Sequence, residues 1–289
     1  DDVESRGLGD VYKRQDLNGF VLQHENRDAN DSVIKIESGT LTLVDSNPDA
    51  IHKFVKEATG LWTLNENAGT KIVKGGVITG GIGREHSFSS VYGSISENGG
   101  GGVFINQDAS FVMEGGNIVG CSAVGEHNTA GGVLVARSAS FVMKAGKIAG
   151  CTAARGGGVY VADRDGDYAL GSFTMNGGTI MGCSSPFYGA RDAGGVYVYN
   201  GGIFTMKGGT IRDCSAGGLL GAGGVYNEGT MYADGGTIRD CGGSAGVVNE
   251  GTIDASYNAE RTVFLTSVSS GGTIKASAKC QVTFLTMYG

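Results

Sequence analysis

The chain has 289 residues, of which 54 are glycine and 2 are proline, and its formal net charge is −7. No Lys/Arg run supplies the cationic patch that nucleic acids or anionic membrane surfaces require, and no apolar run reaches the length of a transmembrane helix. The glycines lack a Gly-X-Y period and the aromatic residues are spread along the chain, so the composition excludes collagen and favours an ordered protein.

The first 74 residues differ from the rest of the chain. Residues 10–15 read DVYKRQ, which resembles an in-frame translation of a sequencing-adapter end, so we interpret residues 1–15 as a cloning or assembly scar. Residues 16–74 keep strand-like alternation at 32–36 and 40–43 between irregular turns, which predicts degenerate first coils and a cap. Residues 75–289 form the predicted repeat domain, which we expect to be a piece of a longer protein.

A segment occurs five times in this domain, about every thirty residues. The copies read GGVFINQDASFVMEGGNIVGCSA (101–123), GGVLVARSASFVMKAGKIAGCTA (131–153), GGVYVADRDGDYALGSFTMNGGTIMGCSS (157–185), GGVYVYNGGIFTMKGGTIRDCSA (194–216) and GGVYNEGTMYADGGTIRDC (223–241). Each copy holds three short runs with period-two alternation, separated by glycine turns. This predicts an all-β fold, a right-handed parallel β-helix with three strands per coil.

The alternation also predicts which side chains face the interior. In the second strand Phe and Met should point inward, because the position between them holds Thr174 or Thr205 in two copies. The first strand should point valine inward and its central residue outward. This arrangement predicts an exposed, mostly aromatic ladder that could bind a ligand, formed by Phe104, Leu134, Tyr160, Tyr197 and Tyr226.

Five cysteines, each three residues after an isoleucine, should stack at one bend of the coil. They are Cys121, Cys151, Cys183, Cys214 and Cys241. Stacked side chains keep the spacing of about 4.8 Å between parallel strands, whereas the Cβ atoms of a disulfide lie about 3.8 Å apart. Buried free thiols, strained disulfides and a soft-metal site are the three alternatives. The absence of a CxxC pair or a Cys/His cluster favours free thiols.

Six extra residues in the third copy offer a candidate metal site. Asp163, Asp165 and Asp167 alternate around Gly166, and three carboxylates can converge on a hard cation such as calcium. The spacing does not match an EF-hand loop, so a solvated acidic loop is the alternative. We expect no other cofactor.

The connections between each cysteine and the next Gly-Gly pair form the second candidate region. Long connections on one side of a solenoid commonly make its binding face. They carry His86 and His127, each preceded by glutamate, and also Tyr188 and Arg191. Two Glu-His pairs on neighbouring coils could chelate a metal or contact a sugar, and ordinary polar loop residues are the alternative.

These motifs resemble a known family. They include GGVYV, FTMNGGTI and GCSA in the copies, and DLNGFVL (16–22), SGTLTLVDS (38–46) and GGVITGG (75–81) before them. Together they are similar to the repeats of surface proteins of gut Firmicutes, within the pectin-lyase-like superfamily. The resemblance covers roughly residues 16–275. It implies a right-handed β-helix, secretion, and display on the bacterial cell wall. Many relatives hold asparagine at the bend where this chain holds cysteine, so we expect the hydrogen-bonded asparagine ladder to be absent.

Two classes of function remain open. The first is a non-catalytic, extracellular adhesion or presentation scaffold, a monomeric segment of a larger protein that binds host or microbial glycans or surface proteins. The alternative is a carbohydrate-active enzyme, a polysaccharide lyase or glycoside hydrolase of the same superfamily. Glycoside hydrolysis requires two carboxylates about 5–10 Å apart beside a groove, and the sequence shows only isolated acids such as Asp213 and Asp240, each next to an arginine. The sequence therefore favours the scaffold.

Overall fold

The computed structural model of the chain describes residues 12–24, 31–83, 85–90, 93–123, 130–162, 170–186, 191–256, 263–270, 273–276 and 280–284. Regular secondary structure within these ranges is all β, and most strands pair in parallel with the equivalent strand of the next coil. The predicted parallel β-helix is therefore confirmed. Over the same ranges, we find no helix with the length and apolar character needed to cross a membrane.

The strands of successive coils stack in three columns. The first column contains Ile34–Ile36, Val103–Ile105, Val133–Val135, Val159–Val161, Val196–Val198, Ala222–Asn227 and Ala245–Asn249. The second contains Tyr12–Asp16, Thr40–Val44, Ser110–Met113, Ser140–Met143, Ser172–Met175, Ile203–Met206, Thr230–Ala233, Thr252–Ala255 and Thr273–Ala276. The third contains Val21–Gln23, Val77–Thr79, Asn117–Val119, Lys147–Ala149, Thr179–Met181, Thr210–Arg212 and Gly236–Arg239.

Shorter elements join or decorate the columns. Two-residue strands follow the third column at Ile82–Gly83, Ser122–Ala123, Ser184–Ser185 and Ser215–Ala216. Glu85–Ser90 and Gly93–Asn98 pair as an antiparallel hairpin between the third and first columns. Near the C-terminus, Val263–Ser270 pairs with both of these columns, and Cys280–Phe284 pairs with it in turn.

The second column confirms the predicted inward stack. Its phenylalanines are fully buried, and successive rings stack with centroids 5.2, 4.7 and 5.0 Å apart, in the order Phe111, Phe141, Phe173 and Phe204. The residues between Phe and Met, such as Val142 and Thr174, are half-buried on the opposite face. This alternation of buried and half-buried positions is what a sheet with one face on a core produces.

The Gly-Gly pair at the start of each full copy has a packing reason. A Cβ on Gly158 would lie 2.9 Å from Cγ2 of Ile180, a third-strand residue of the same coil. The amide of Gly158 donates to the carbonyls of both Gly194 and Gly195, at 3.0 and 3.1 Å, so the backbones of the two coils lie close together here. Only glycine fits this close approach.

The N-terminal strand Tyr12–Asp16 pairs in parallel with Thr40–Val44. Residues 12–15, which the sequence set apart as part of a scar, therefore belong to the folded part of the chain. The register places Lys13 and Gln15 opposite Leu41 and Leu43. Polar residues at such positions discourage another chain from pairing with the open edge of the sheet.

An antiparallel sheet is inserted between the second and third strands of an early coil. This lateral sheet contains Ile51–Lys56, Trp62–Leu64 and Lys71–Lys74. It packs against the third column, where Trp62 joins a small buried cluster with Val119 and Ala149. The Trp62 amide donates to the carbonyl of Gly150 at 2.9 Å, and Oγ of Ser184 donates to the carbonyl of Thr59 at 2.9 Å. The lateral sheet thus ties distant coils together.

The type of residue before each cysteine depends on whether the lateral sheet packs against that coil. This residue has a positive φ in every full copy, and it is glycine at 120, 150 and 182 but aspartate at 213 and 240. A Cβ on Gly150 would lie 2.0 Å from Cγ of Trp62, whereas Asp213 and Asp240 follow beyond the coils that Trp62 contacts. The left-handed conformation tolerates Asp, so the packing of Trp62 explains the glycines.

We expect Gly150→Ala to lower the free energy of unfolding by about 1–3 kcal/mol, because the new methyl group clashes with the Trp62 ring at a left-handed backbone position. Thermal unfolding followed by the fluorescence of the sole tryptophan measures this loss and the displacement of Trp62. Asp213→Gly is the matched control, since it changes the equivalent residue away from the lateral sheet. Equal stability and unchanged native emission in Gly150→Ala would contradict the assigned contact.

The five cysteines are free, and four of them are buried. Each sulfur lies against the carbonyl of an isoleucine of the preceding coil, for example Cys151 Sγ at 3.8 Å from Ile118 O and Cys183 Sγ at 3.7 Å from Ile148 O. Burial, with a contribution from the Cys151 thiol, raises the pKa of Cys183 well above its usual value. The four buried sulfurs are shielded from solvent and pack as small apolar groups.

A short asparagine ladder is present at the end of the first column, and not at the bend that the cysteines occupy. Asn227 Nδ2 donates to Asn249 Oδ1 at 2.7 Å, and both side chains are fully buried. Asn227 pairs in register with Val198, so the last coils replace an apolar residue by a hydrogen-bonded one. This pair lies at the end of the first strand, whereas the bend after the third strand, which the sequence analysis considered, holds the cysteines.

Candidate functional site

The predicted aromatic ladder exists, but it is not exposed. Tyr160, Tyr197 and Tyr226 stack with centroids 5.5 and 5.2 Å apart, and they are only 2%, 0% and 0% exposed. The prediction of an exposed binding platform is therefore wrong. Arg155 lies over the Tyr197 ring, with Cζ 5.4 Å from the ring centroid, and the Tyr199 ring lies 6.3 Å from those of Tyr160 and Tyr197. These side chains cover the tyrosine column.

An open polar pocket lies above this column. It has a volume of about 440 Å³ and is lined by Arg155, Arg191, Tyr199, Asn200, Glu228 and Glu250. Arg155 and Arg191 come from the connections that follow two successive cysteines. The other four residues come from the turns that follow first-column strands. The pocket therefore lies over the first column. Connections that lead into its strands meet turns that leave them, and several coils contribute.

Two glutamates of neighbouring coils share one arginine in this pocket. Glu228 and Glu250 directly follow the paired asparagines 227 and 249, so they occupy equivalent positions. Arg191 Nη1 lies 2.9 Å from Glu228 Oε1, and Nη2 lies 3.3 Å from Glu250 Oε2. The charge of Glu250, to which the ion pair with Glu228 adds, raises the pKa of Arg191. The fork of Arg191 thereby offsets the repulsion between two stacked carboxylates.

The tyrosine hydroxyls connect the buried column to the pocket. Tyr226 Oη donates to Glu250 Oε1 at 2.7 Å, and Tyr197 Oη accepts from Arg155 Nη1 at 2.8 Å. Burial raises the pKa of Tyr197, and the charge of Glu228 adds to this effect while that of Arg155 opposes it. Burial also raises the pKa of Tyr226, together with its hydrogen bond to Glu250. Both phenols therefore stay protonated and serve as fixed hydrogen-bonding groups.

A buried carboxylate supports the pocket from the side. Asp192, next to Arg191, is 0% exposed, and its Oδ2 accepts from the amide of Gly218 at 3.2 Å. Burial raises the pKa of Asp192, although the hydrogen bond from the Gly218 amide and the charge of Arg155 oppose the shift. The Asp192 carbonyl also accepts from the amide of Ala222 at 2.9 Å. These bonds fix the turn at 218–221 beside Arg191.

The other predicted site residues do not form a described site. Asp163, Asp165 and Asp167, the candidate calcium ligands, lie outside the described residues, as do His127 and Tyr188. His86 lies in the hairpin strand Glu85–Ser90, opposite Glu97. Within the described residues, no group of three or more His, Cys, Asp or Glu side chains has an arrangement that could hold a metal ion.

Sequence reasoning named Arg191 but missed most of the pocket. The repeated triplet NEG, at 227–229 and 249–251, is the signal that could have revealed the two glutamates, because a polar triplet replaces the apolar end of the first strand. Arg155 is a single arginine before a glycine run, and no pattern marks it. Its role becomes visible only when the Tyr197 hydroxyl is placed beside it.

Comparison with known proteins gives no relative for this chain. A scan against protein-family models, a search of curated proteins and a search of solved structures each returned no match. The fold and the pocket are therefore interpreted from their own geometry.

Proposed function

We propose that the protein is a non-catalytic, extracellular scaffold of the bacterial cell surface that serves in adhesion or presentation. It binds glycans or surface proteins of a host or of other microbes through the pocket above the tyrosine column. The observation that carries this proposal is the pocket itself, in which a half-buried tyrosine lies beside paired charges on a rigid β-helix. Aromatic rings and fixed hydrogen-bonding groups are what sugar binding and protein recognition use.

The ion pairs of the pocket favour binding over catalysis. A glycoside hydrolase needs two carboxyl groups that face the scissile bond. Arg191 instead forms ion pairs with both Glu228 and Glu250, so one guanidinium occupies an oxygen of each carboxylate. Secretion and cell-wall display rest on the resemblance of the repeats to bacterial surface proteins. Calcium at the aspartates of the third copy stays a prediction.

The enzyme is the second candidate, because two carboxylates do line one pocket. Two carboxylates beside a groove are expected in a polysaccharide lyase or glycoside hydrolase, whereas a binding surface can be flat and poor in acidic residues. Incubation with a panel of plant, microbial and host polysaccharides, with reducing ends and unsaturated products measured, separates the two. Product formation that disappears in Glu228→Gln would favour the enzyme.

A glycan array tests the binding proposal. We expect the wild-type protein to bind one group of glycans and Tyr199→Ala to bind them about tenfold or more weakly, because it removes the half-buried ring of the pocket. Tyr232→Ala is the matched control, since Tyr232 is 37% exposed on the second column and does not line the pocket. Equal binding by the two variants would argue against the pocket as the site.

A further inference from the structure

The two arginines of the pocket differ in their partners. Arg191 contacts two carboxylates, whereas Arg155 forms no ion pair with any carboxylate of the described residues. Arg155 is half-buried, so water compensates only part of its charge. Elsewhere on the surface, Arg212 and Arg239 are each paired with the aspartate that follows them. Among the described residues, Arg155 is therefore the arginine of the pocket that has no carboxylate partner.

The Arg155 guanidinium is held in a fixed orientation. One N–H group donates to Tyr197 Oη at 2.8 Å, and the guanidinium lies over the ring of the same residue. Tyr197 is itself fully buried between Tyr160 and Tyr226. A guanidinium has five N–H donors in a planar fork, so donors remain for a further acceptor. A fork that is already ordered binds an anion with a smaller loss of entropy.

The carboxylates around Arg155 do not satisfy it. Asp192 is close enough for Arg155 to influence its titration, but it is fully buried, and its Oδ2 accepts a backbone amide instead. Glu228 faces the Tyr197 hydroxyl and is bound by Arg191. A ligand that brings its own anionic group would supply the partner that the described carboxylates do not provide, and charge-assisted bidentate bonds to arginine are among the strongest hydrogen bonds in proteins.

The remaining lining residues indicate what carries that anionic group. The ring of Tyr199 can stack on the apolar face of a sugar, and Asn200 offers an amide to hydroxyl groups. We propose that the ligand of this pocket is a sugar that bears a carboxylate or a sulfate group, and that Arg155 binds this group. This inference rests on the proposed binding function and names the class of ligand.

Isothermal titration calorimetry with four monosaccharides tests the inference. The probes are N-acetylneuraminic acid and glucuronic acid, which carry a carboxylate, glucose 6-sulfate, which carries a sulfate, and neutral glucose. We expect at least one acidic probe to bind about tenfold or more tightly than glucose, and the difference to shrink at high salt. Comparison of the carboxylate and sulfate probes identifies which group the pocket prefers.

Arg155→Gln should abolish the preference for the acidic probe and leave weak binding of glucose. Arg155→Lys should keep part of the preference, because it keeps the charge but not the fork. Arg239→Gln, at an exposed arginine that does not line the pocket, is the matched control and should leave all affinities unchanged. Circular dichroism and thermal unfolding verify that each variant is folded.

The outcomes separate this inference from the function on which it rests. Acidic and neutral probes that bind equally well would overturn the role of Arg155 and leave the binding function standing. A preference that survives in Arg155→Gln would also overturn it. If the glycan array and all four probes show no binding, the proposed function fails together with the inference.

Discussion

Phe173→Ala is expected to lower the free energy of unfolding by about 3–5 kcal/mol, the largest loss among the substitutions considered. Phe173 is fully buried, and its ring lies 4.7 Å from that of Phe141 and 5.0 Å from that of Phe204. Truncation removes a ring from the middle of the stack and leaves a cavity between two coils. The rigid strands on both sides restrict collapse into that space.

Urea unfolding, followed by far-ultraviolet circular dichroism, measures this loss. Thr174→Ala is the matched control because Thr174 is the next residue on the same strand but is half-buried on the outer face. It should change stability by no more than about 0.5 kcal/mol. A loss below about 1 kcal/mol in Phe173→Ala would mean that the stack does not hold neighbouring coils together.

The second strand shows how far the sequence alone determines this fold. Its Phe-x-Met pattern alternates strictly, and Thr174 and Thr205 at the middle position identify the outer face. The period therefore predicts both the strand and its orientation, and the register of Phe141 on Phe173 agrees. Fold class and second-strand orientation follow from local alternation, which each copy repeats.

The first strand shows where that reasoning stops. Its residues are apolar at every position, as in Val159–Val161, and all three are buried. Alternation cannot tell which face is exposed when both faces are covered. The covering groups, such as Arg155 above Tyr197, come from a connection of another coil. The burial of the tyrosines is therefore a long-range property that the pattern within one copy does not contain.

The lateral sheet and the pocket could not be predicted from the sequence for the same reason. Trp62 packs against Gly150, although no repeat links the two segments. Arg191, Glu228 and Glu250 meet because three separate coils bring them together. Each of these contacts depends on which coil stacks on which. The spacing of the cysteines gave that order, but not the paths of the connections between coils.

Asn227→Val is expected to lower the free energy of unfolding by about 1–3 kcal/mol, although it makes the core more apolar. Valine fits this position, because Val198 occupies the equivalent place in the preceding coil. The substitution removes Asn227 Nδ2, which donates hydrogen bonds to Asn249 Oδ1 at 2.7 Å and to the carbonyl of Thr252 at 3.0 Å. Burial makes the loss of these hydrogen bonds costly.

A double-mutant cycle distinguishes the asparagine pair from a general loss of packing. Asn249→Val removes the other side of the pair, since Asn227 then has no Asn249 Oδ1 to contact. If the hydrogen bond stabilises the coils, the double variant Asn227→Val/Asn249→Val should lose less stability than the two single variants together, by about 0.5–3 kcal/mol. Urea unfolding of the four proteins gives this coupling free energy. Additive losses would mean that each asparagine acts through the backbone carbonyls it contacts, and that the side-chain pair contributes nothing of its own.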